Sequence, residues 1–431
     1  MFGNSNRRLT LFLLLISSLF PVQLYTQFST LEPLPGNGTI WGHSSVILND
    51  TIYVSGGSSD GSPSCYFAKY SINGGVWQFS MSLPLPRSGG DMAVCRDRIY
   101  YIGGGSKSID AAEKEVFVYD PETGEWKYET DIPMPVSGNS AECLNDSLIY
   151  SFYGGWNTYE NIIQVYNINS RSWFFANPIP GTPGRRSFAC GMEGNTIYIC
   201  GGYSGGFRND FWTGVVDGDN PGKITWSRRA PLAVNTSRPG GAAINGKFYV
   251  VTGELPGAVV NDSVAVWAEE NNQWIYIDGK PAATSNLNNC VIGRQIRSNN
   301  AASIQLWFPG GSFRGETTRP LESLVISSSS EDHKTVDFTS SVLPTRFELY
   351  QNYPNPFNPV TVIKFDVPID SYIRLNIYDI TGKLVTELAS GFYRSGTYEL
   401  RFDAVNLSSG IFFCKFSGKD YEKTSKMMLI K

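Results

Sequence analysis

The sequence predicts an all-β protein in two parts, a six-bladed β-propeller followed by an immunoglobulin-like β-sandwich. Three observations carry this expectation. Only 17% of the 431 residues are charged, against roughly 25% in an average soluble domain. The difference is made up by 44 Gly, 25 Phe, 23 Tyr and 10 Trp, the side chains that fill sheets and the residue that makes tight turns. A unit of about 50 residues recurs through the middle of the chain, and short alternating strands fill the last part.

Composition also removes several function classes. Lys and Arg number 35 against 39 Asp and Glu, for a net charge of −4. No basic block is present, which argues against a nucleic-acid partner. The two histidines, His43 and His333, are too few for a His-rich metal centre. No metal and no cofactor is expected. Serine-hydrolase and P-loop signatures are absent from the sequence.

Residues 1–26 read as a secretory signal. Arg7 and Arg8 precede the apolar run Leu9–Phe20, and the more polar Pro21–Gln27 follows, the order of an export leader. The run falls short of the roughly 20 apolar residues that span a bilayer, and no second run of that length follows. The mature chain is therefore expected outside the inner membrane, with no transmembrane segment. Of the seven cysteines, Cys190 and Cys200 flank the turn Glu193-Gly194-Asn195 and could pair across a hairpin; buried small hydrophobes are the reading for the others.

Residues 27–327 hold the repeats. Apolar strands end in glycine at Gly56-Gly57, Gly103-Gly104, Gly154-Gly155, Gly201-Gly202, Thr252-Gly253 and Gly310-Gly311, in steps of 47, 51, 47, 51 and 58 residues. Trp77, Trp126, Trp173, Trp226 and Trp274 follow in step, and Pro-rich exits such as Leu83–Pro86 and Ile132–Pro135 close the units. Such a unit is a four-stranded blade that must stack on neighbours to bury its faces. The double glycine admits close backbone approach, and the Trp packs between blades. The sixth unit lacks a Trp and a Pro-rich exit. Phe28–Pro35 has the same Leu-Pro exit and is expected to complete the last blade, removing free sheet edges. This order of marks resembles the kelch repeat over about 300 residues, from Gln27 to Ser327, which implies fold more than function.

Residues 328–344, rich in Ser and Thr, read as a linker. The segment 345–431 opens with Leu349–Pro359 (LYQNYPNPFNP), whose prolines forbid helix; about seven short strands follow, as in an immunoglobulin-like sandwich. The Gln351–Pro359 motif, Tyr378-Asp379 with Gly382-Lys383, Ser409–Phe412 and Lys426–Lys431 resemble the C-terminal sorting domain of the type IX secretion pathway. That resemblance implies export, with the outer-membrane secretion machinery as a partner of residues 345–431, and a secreted or cell-surface location.

Propeller ligands gather where inner strands and their loops converge. Arg87, Arg186 and Arg238 lead inner strands and could hold an anion bidentately; His43 opens the first blade. Asp91, Glu142 and Glu254 are acidic candidates nearby. Trp156, Tyr159, Tyr203 and Phe207 lie on loops just after glycine pairs, where rings stack on sugars or partners. The expected ligand-binding set is Arg87, Arg186, Arg238, His43, Trp156 and Tyr203, for an extracellular glycan or protein, in a binding module without a catalytic residue. The rival is an enzyme resembling the kelch-like sialic-acid mutarotases and epimerases, in which Arg87, Arg186, Arg238 and Glu254 would anchor a carboxylate and move a proton. The third blade departs from that pattern, with Val136-Ser137-Gly138 where an Arg would stand. Copper-radical oxidases on kelch propellers fit worse, needing two His ligands where the propeller holds His43 alone.

Overall fold

The computed structural model describes residues 24–36, 40–59, 61–108, 111–155, 158–251, 253–257, 259–260, 263–269, 272–277, 291–298, 301–310, 321–327, 334–336, 346–368, 371–393, 396–418 and 421–431. The chain divides into two compact units, Val22–Val336 and Asp337–Lys431.

In the first unit the described residues form six antiparallel sheets of four or five strands, besides one two-stranded ribbon. Each begins with an inner strand, in chain order Trp41–Leu48, Ser88–Cys95, Ser140–Leu144, Ala189–Glu193, Gly240–Ile244 and Ile292–Ser298. The second strand of each sheet runs into the glycine mark, and the strand bearing the repeated Trp lies outermost in the first five. Side chains alternate across each strand, so both faces of every sheet carry apolar residues. Six core clusters result, one between each pair of consecutive sheets. Val46, Tyr53 and Phe67 of the first sheet meet Tyr101, Phe117 and Trp126 of the second. Ile52, Val54 and Tyr70 on its other face meet Trp307 and Leu321 of the last.

The glycine marks behave as the repeats predict. Gly56, Gly57, Gly103, Gly104, Gly201 and Gly202 all have positive φ, the left-handed region glycine enters without steric cost. A Cβ on Gly104 would lie 2.8 Å from the Gly90 nitrogen. The indole N–H groups of Trp77, Trp126, Trp226 and Trp274 donate to the carbonyls of Glu32, Met81, Asn177 and Ala230 in turn. Each of these acceptors lies on the exit from the preceding sheet, so the Trp staples one sheet to the next.

The leading strand joins the last sheet, as expected, but its span differs. Leu24–Leu31 pairs with Leu321–Ser327, Phe28 opposite Leu324, whereas the sequence suggests Phe28–Pro35. The two prolines Pro33 and Pro35 remove backbone donors from that second half. Lys334–Val336, within the expected linker, adds a strand on the far side of Leu24–Thr26.

The cysteine expectation is corrected. Cys190 stands opposite Ile199 and Cys200 opposite Ala189. The two are one residue out of register, and alternation sends them to opposite faces. The disulfide links Cys95 to Cys143, on the inner strands of the second and third sheets, while Cys65, Cys190, Cys200 and Cys414 are free thiols.

The second unit holds a sheet ordered 348–349, 360–367, 396–403 and another ordered 384–393, 371–379, 410–418, 421–429. Ile363 and Phe365 of the first pack in one core with Leu375, Ile377, Cys414 and Phe416 of the second. No helix among the described residues is long and apolar enough to cross a membrane.

Candidate functional site

Where each inner strand begins, the chain must turn in from the outside of one sheet to the axis of the next. It does so through one left-handed residue per sheet in the first five: Gly42, Gly89, Gly138, Ser187 and Arg238, with φ between 52° and 75°. The backbones of the last four are linked in an open hoop. Gly138 N donates to Gly89 O at 2.6 Å, Ser187 N to Gly138 O at 2.9 Å, and Arg238 N to Ser187 O at 2.8 Å. Three of the five are glycine, as that geometry favours. Arg238 is the bulkiest departure, and a non-glycine residue held there costs about 1 kcal/mol or more.

Beside Arg238 the structure gathers several of the residues singled out from sequence. The half-buried Arg238 guanidinium donates to the Glu254 carboxylate. Glu254 is placed by paired backbone hydrogen bonds with Ser237, at 2.9 and 2.7 Å. Arg186 lies over the Tyr203 ring at 4.7 Å and over Tyr159 at 5.8 Å. Its backbone exchanges two hydrogen bonds with Tyr203, and Phe207 meets Tyr203 edge-on at 5.7 Å. Burial, and the nearby charge of Arg238, pull the Arg186 guanidinium below its ordinary value despite its Tyr159 partner. The result is a half-buried patch of two guanidiniums, one carboxylate and three rings.

Other expected residues stand elsewhere. Arg87 is wholly buried; it donates to Glu115 at 2.9 Å and to the Pro86 carbonyl, with its guanidinium 5.7 Å from the Phe117 ring. His43 is also buried and its Nε2 meets the Pro309 carbonyl at 2.7 Å, joining the first sheet to the last. Trp156 lies outside the described residues. Arg185, next to Arg186 in sequence, points the other way and is fully buried. Asp210 receives it bidentately at 2.8 and 3.2 Å, and also accepts from Arg208 and Trp212. Arg185 and Arg87 thus serve the sheets, and neither reaches the Arg186 patch.

A second polar group lies on the axis. The inner strands of all six sheets line a cavity of about 240 Å³ that holds Asp91, Glu142 and Cys190. Asp91 accepts from Ser44 Oγ at 2.5 Å, Ser140 Oγ at 3.2 Å and Ala141 N at 2.8 Å. Burial outweighs these bonds and pushes its carboxyl up to about 7. Glu142 is pushed up to about 8, first by burial and then by the charge of Asp91. Cys95, Cys143 and Asp146 are the described groups close enough together to share an ion, but the two sulfurs are bonded to each other.

Comparisons with known proteins agree with this architecture. The kelch motif family matches residues 86–133, and the secretion-system C-terminal sorting domain family matches residues 351–431. Kelch domain-containing protein 3 of Bos taurus is 25% identical over 211 residues, 44% of this chain and 54% of that protein. Kelch-like protein terF of Aspergillus terreus is 26% identical over 281 residues, 58% of this chain and 60% of that protein. The chain spans little more than half the length of these curated relatives. The solved structure of YjhT aligns over 71% of this chain and 99% of its own, with a TM-score of 0.54 at 16% identity, a likeness of fold. The first unit is a kelch-type β-propeller. The whole is a kelch-repeat protein with a type IX sorting tail, exported to the cell surface or the extracellular space.

Proposed function

We propose that the protein is a secreted, non-catalytic binding module whose propeller takes a glycan on the patch of Arg186, Tyr203, Tyr159, Arg238 and Glu254. In this reading the six sheets are the blades of one closed propeller, and the tail is an immunoglobulin-like sandwich that carries the module out. The observation behind it is Arg238. Arg238 keeps a left-handed backbone where the first three sheets use glycine, a strain that persists where the side chain is needed. Rings and guanidiniums side by side offer a stacking face and a fork of donors, the groups that meet a sugar's apolar face and its hydroxyls. His43 and Arg87, buried within the sheets, are left out of the contact surface.

The test is a glycan array probed with the full chain, alongside Arg186→Ala and Tyr203→Ala variants. Binding by the parent chain that both variants lose supports the reading. An array without any bound sugar turns it toward a protein ligand. The rival, a sialic-acid-type mutarotase or epimerase, draws on the contact of Arg238 with Glu254, an anchor and a proton-transfer group side by side. Against it, Arg87 is committed to Glu115. Anomer exchange of a sialic acid followed by NMR separates the two: exchange accelerated by the protein and lost in Glu254→Gln favours the enzyme.

A further inference from the structure

The two ends of the sorting tail meet along one sheet edge. Gln351 Nε2 donates to the Lys426 carbonyl at 2.8 Å, and Asn355 Nδ2 to the same oxygen at 3.2 Å. Met428 N donates to Asn355 Oδ1 at 2.8 Å. Phe357 then continues as a strand would, its N–H on Met428 O and its carbonyl accepting from Ile430 N, both at 2.9 Å. The Phe357 ring is buried against Phe402, so the segment is pinned from inside. Asn352 steadies the turn from within through Thr361 and the Pro354 carbonyl.

Two segments some 70 residues apart thus form one clasp on the outer edge of the 421–429 strand. A clasp is sufficient to blunt an edge; what blunting leaves unexplained is the side chain at its centre. Tyr353 is 81% exposed although its backbone is fixed by paired bonds to Val362, and Ile430 is 50% exposed. Pro354, Pro356 and Lys426 are exposed in the same two segments, as is Lys431, whose ammonium sits on the Val405 carbonyl. An exposed aromatic on a fixed backbone, between two residues that both grip the Lys426 carbonyl, sets a ring beside a cation-bearing strand, the make-up of an anchor for a partner.

We propose that the export signal is this composite surface, with Tyr353 as the anchor and Lys426 beside it, docking on an acidic, apolar-pocketed surface of the secretion machinery. Gln351 and Asn355 are positioning residues that hold the 421–429 strand in register with the anchor. The proposal rests on the reading of residues 351–431 as a sorting domain.

The experiment follows the full chain in a bacterium carrying the type IX pathway, measuring the fraction exported against that retained. Purified variants are checked by melting and by hydrogen exchange at the Met428 and Ile430 amides. Tyr353→Ser and Lys426→Glu should keep the parent's melting and exchange, and Tyr353→Ser should cut export about tenfold, as for loss of one anchor. Gln351→Ala with Asn355→Ala should speed exchange at Met428 and cut export as well. Normal export of both surface variants overturns the proposal. So does normal export of the clasp variant once its exchange is faster, because a linear segment would then suffice. Export of a chain lacking residues 351–431 would instead overturn the sorting reading itself.

Discussion

Asp91 and Ser44, on the inner strands of neighbouring sheets, meet at 2.5 Å, and Ser44 Oγ in turn accepts from Met92 N. With Ser140 and Ala141 on the other side, one carboxyl ties three consecutive sheets around the axis. It does so next to Glu142, in the cavity that the inner strands line.

Stability should therefore fall as the pH rises toward 8. Both carboxyls have folded values above their unfolded ones, near 7 for Asp91 and near 8 for Glu142. The native state binds more protons than the unfolded chain between those limits. The contribution is full below the unfolded values near 4 and is lost as pH climbs through the folded ones, by about 1.4 kcal/mol per pH unit per group. Melting the full chain at pH 5, 6.5 and 8 should give a falling Tm, and Glu142→Gln should flatten the slope. A Tm that rises over this range would refute the account.

Asp210 makes the opposite prediction. Burial works to raise its carboxyl, but the Arg185 and Arg208 guanidiniums outweigh that and hold it far below the usual carboxylate range. Its contribution is present above the unfolded value and is lost only in strong acid. Removing it strands a buried Arg185. Asp210→Ala should cost about 3–5 kcal/mol in denaturant melts, whereas Glu125→Ala, from an exposed pair with Lys127, should change little.

The repeats were legible because their marks are local: a glycine pair in left-handed backbone, a Trp two strands later, a proline exit. Ring closure by the leading strand was legible from what the sixth unit lacked, although the strand's start at Leu24 was not. The site was legible only in part. Arg186 and Arg238 come together, but nothing in their flanking residues separates them from Arg87, whose Glu115 partner stands 28 positions away. Arg185 and Arg186 are neighbours in sequence with opposite fates, since successive side chains take opposite sides. The hoop escaped notice because its bonds are backbone to backbone and carry no side-chain signature.

The Cys95–Cys143 bridge closes a loop with a separation of 48 residues and joins two inner strands. Cys95→Ala with Cys143→Ala should lower stability by about 2–4 kcal/mol. The hairpin pair serves as control: Cys200→Ala removes only a buried thiol, at about 1 kcal/mol for the space it leaves. Equal melting of the oxidised and reduced parent chain would count against the bridge.

Arg238→Gly separates architecture from function at a single position. Glycine adopts the left-handed backbone of Arg238 freely, so the substitution relieves strain worth about 1 kcal/mol. It also deletes a half-exposed pair with Glu254, worth about that much or less. The hoop bond from residue 238 N to Ser187 O survives, because glycine keeps its N–H. The Tm should stay within a few degrees of the parent, while affinity for whatever ligand the array identifies should fall at least about tenfold. Retained affinity would mean that the Arg238 side chain is not what sustains the strain, and the patch would lose its claim to be the binding face.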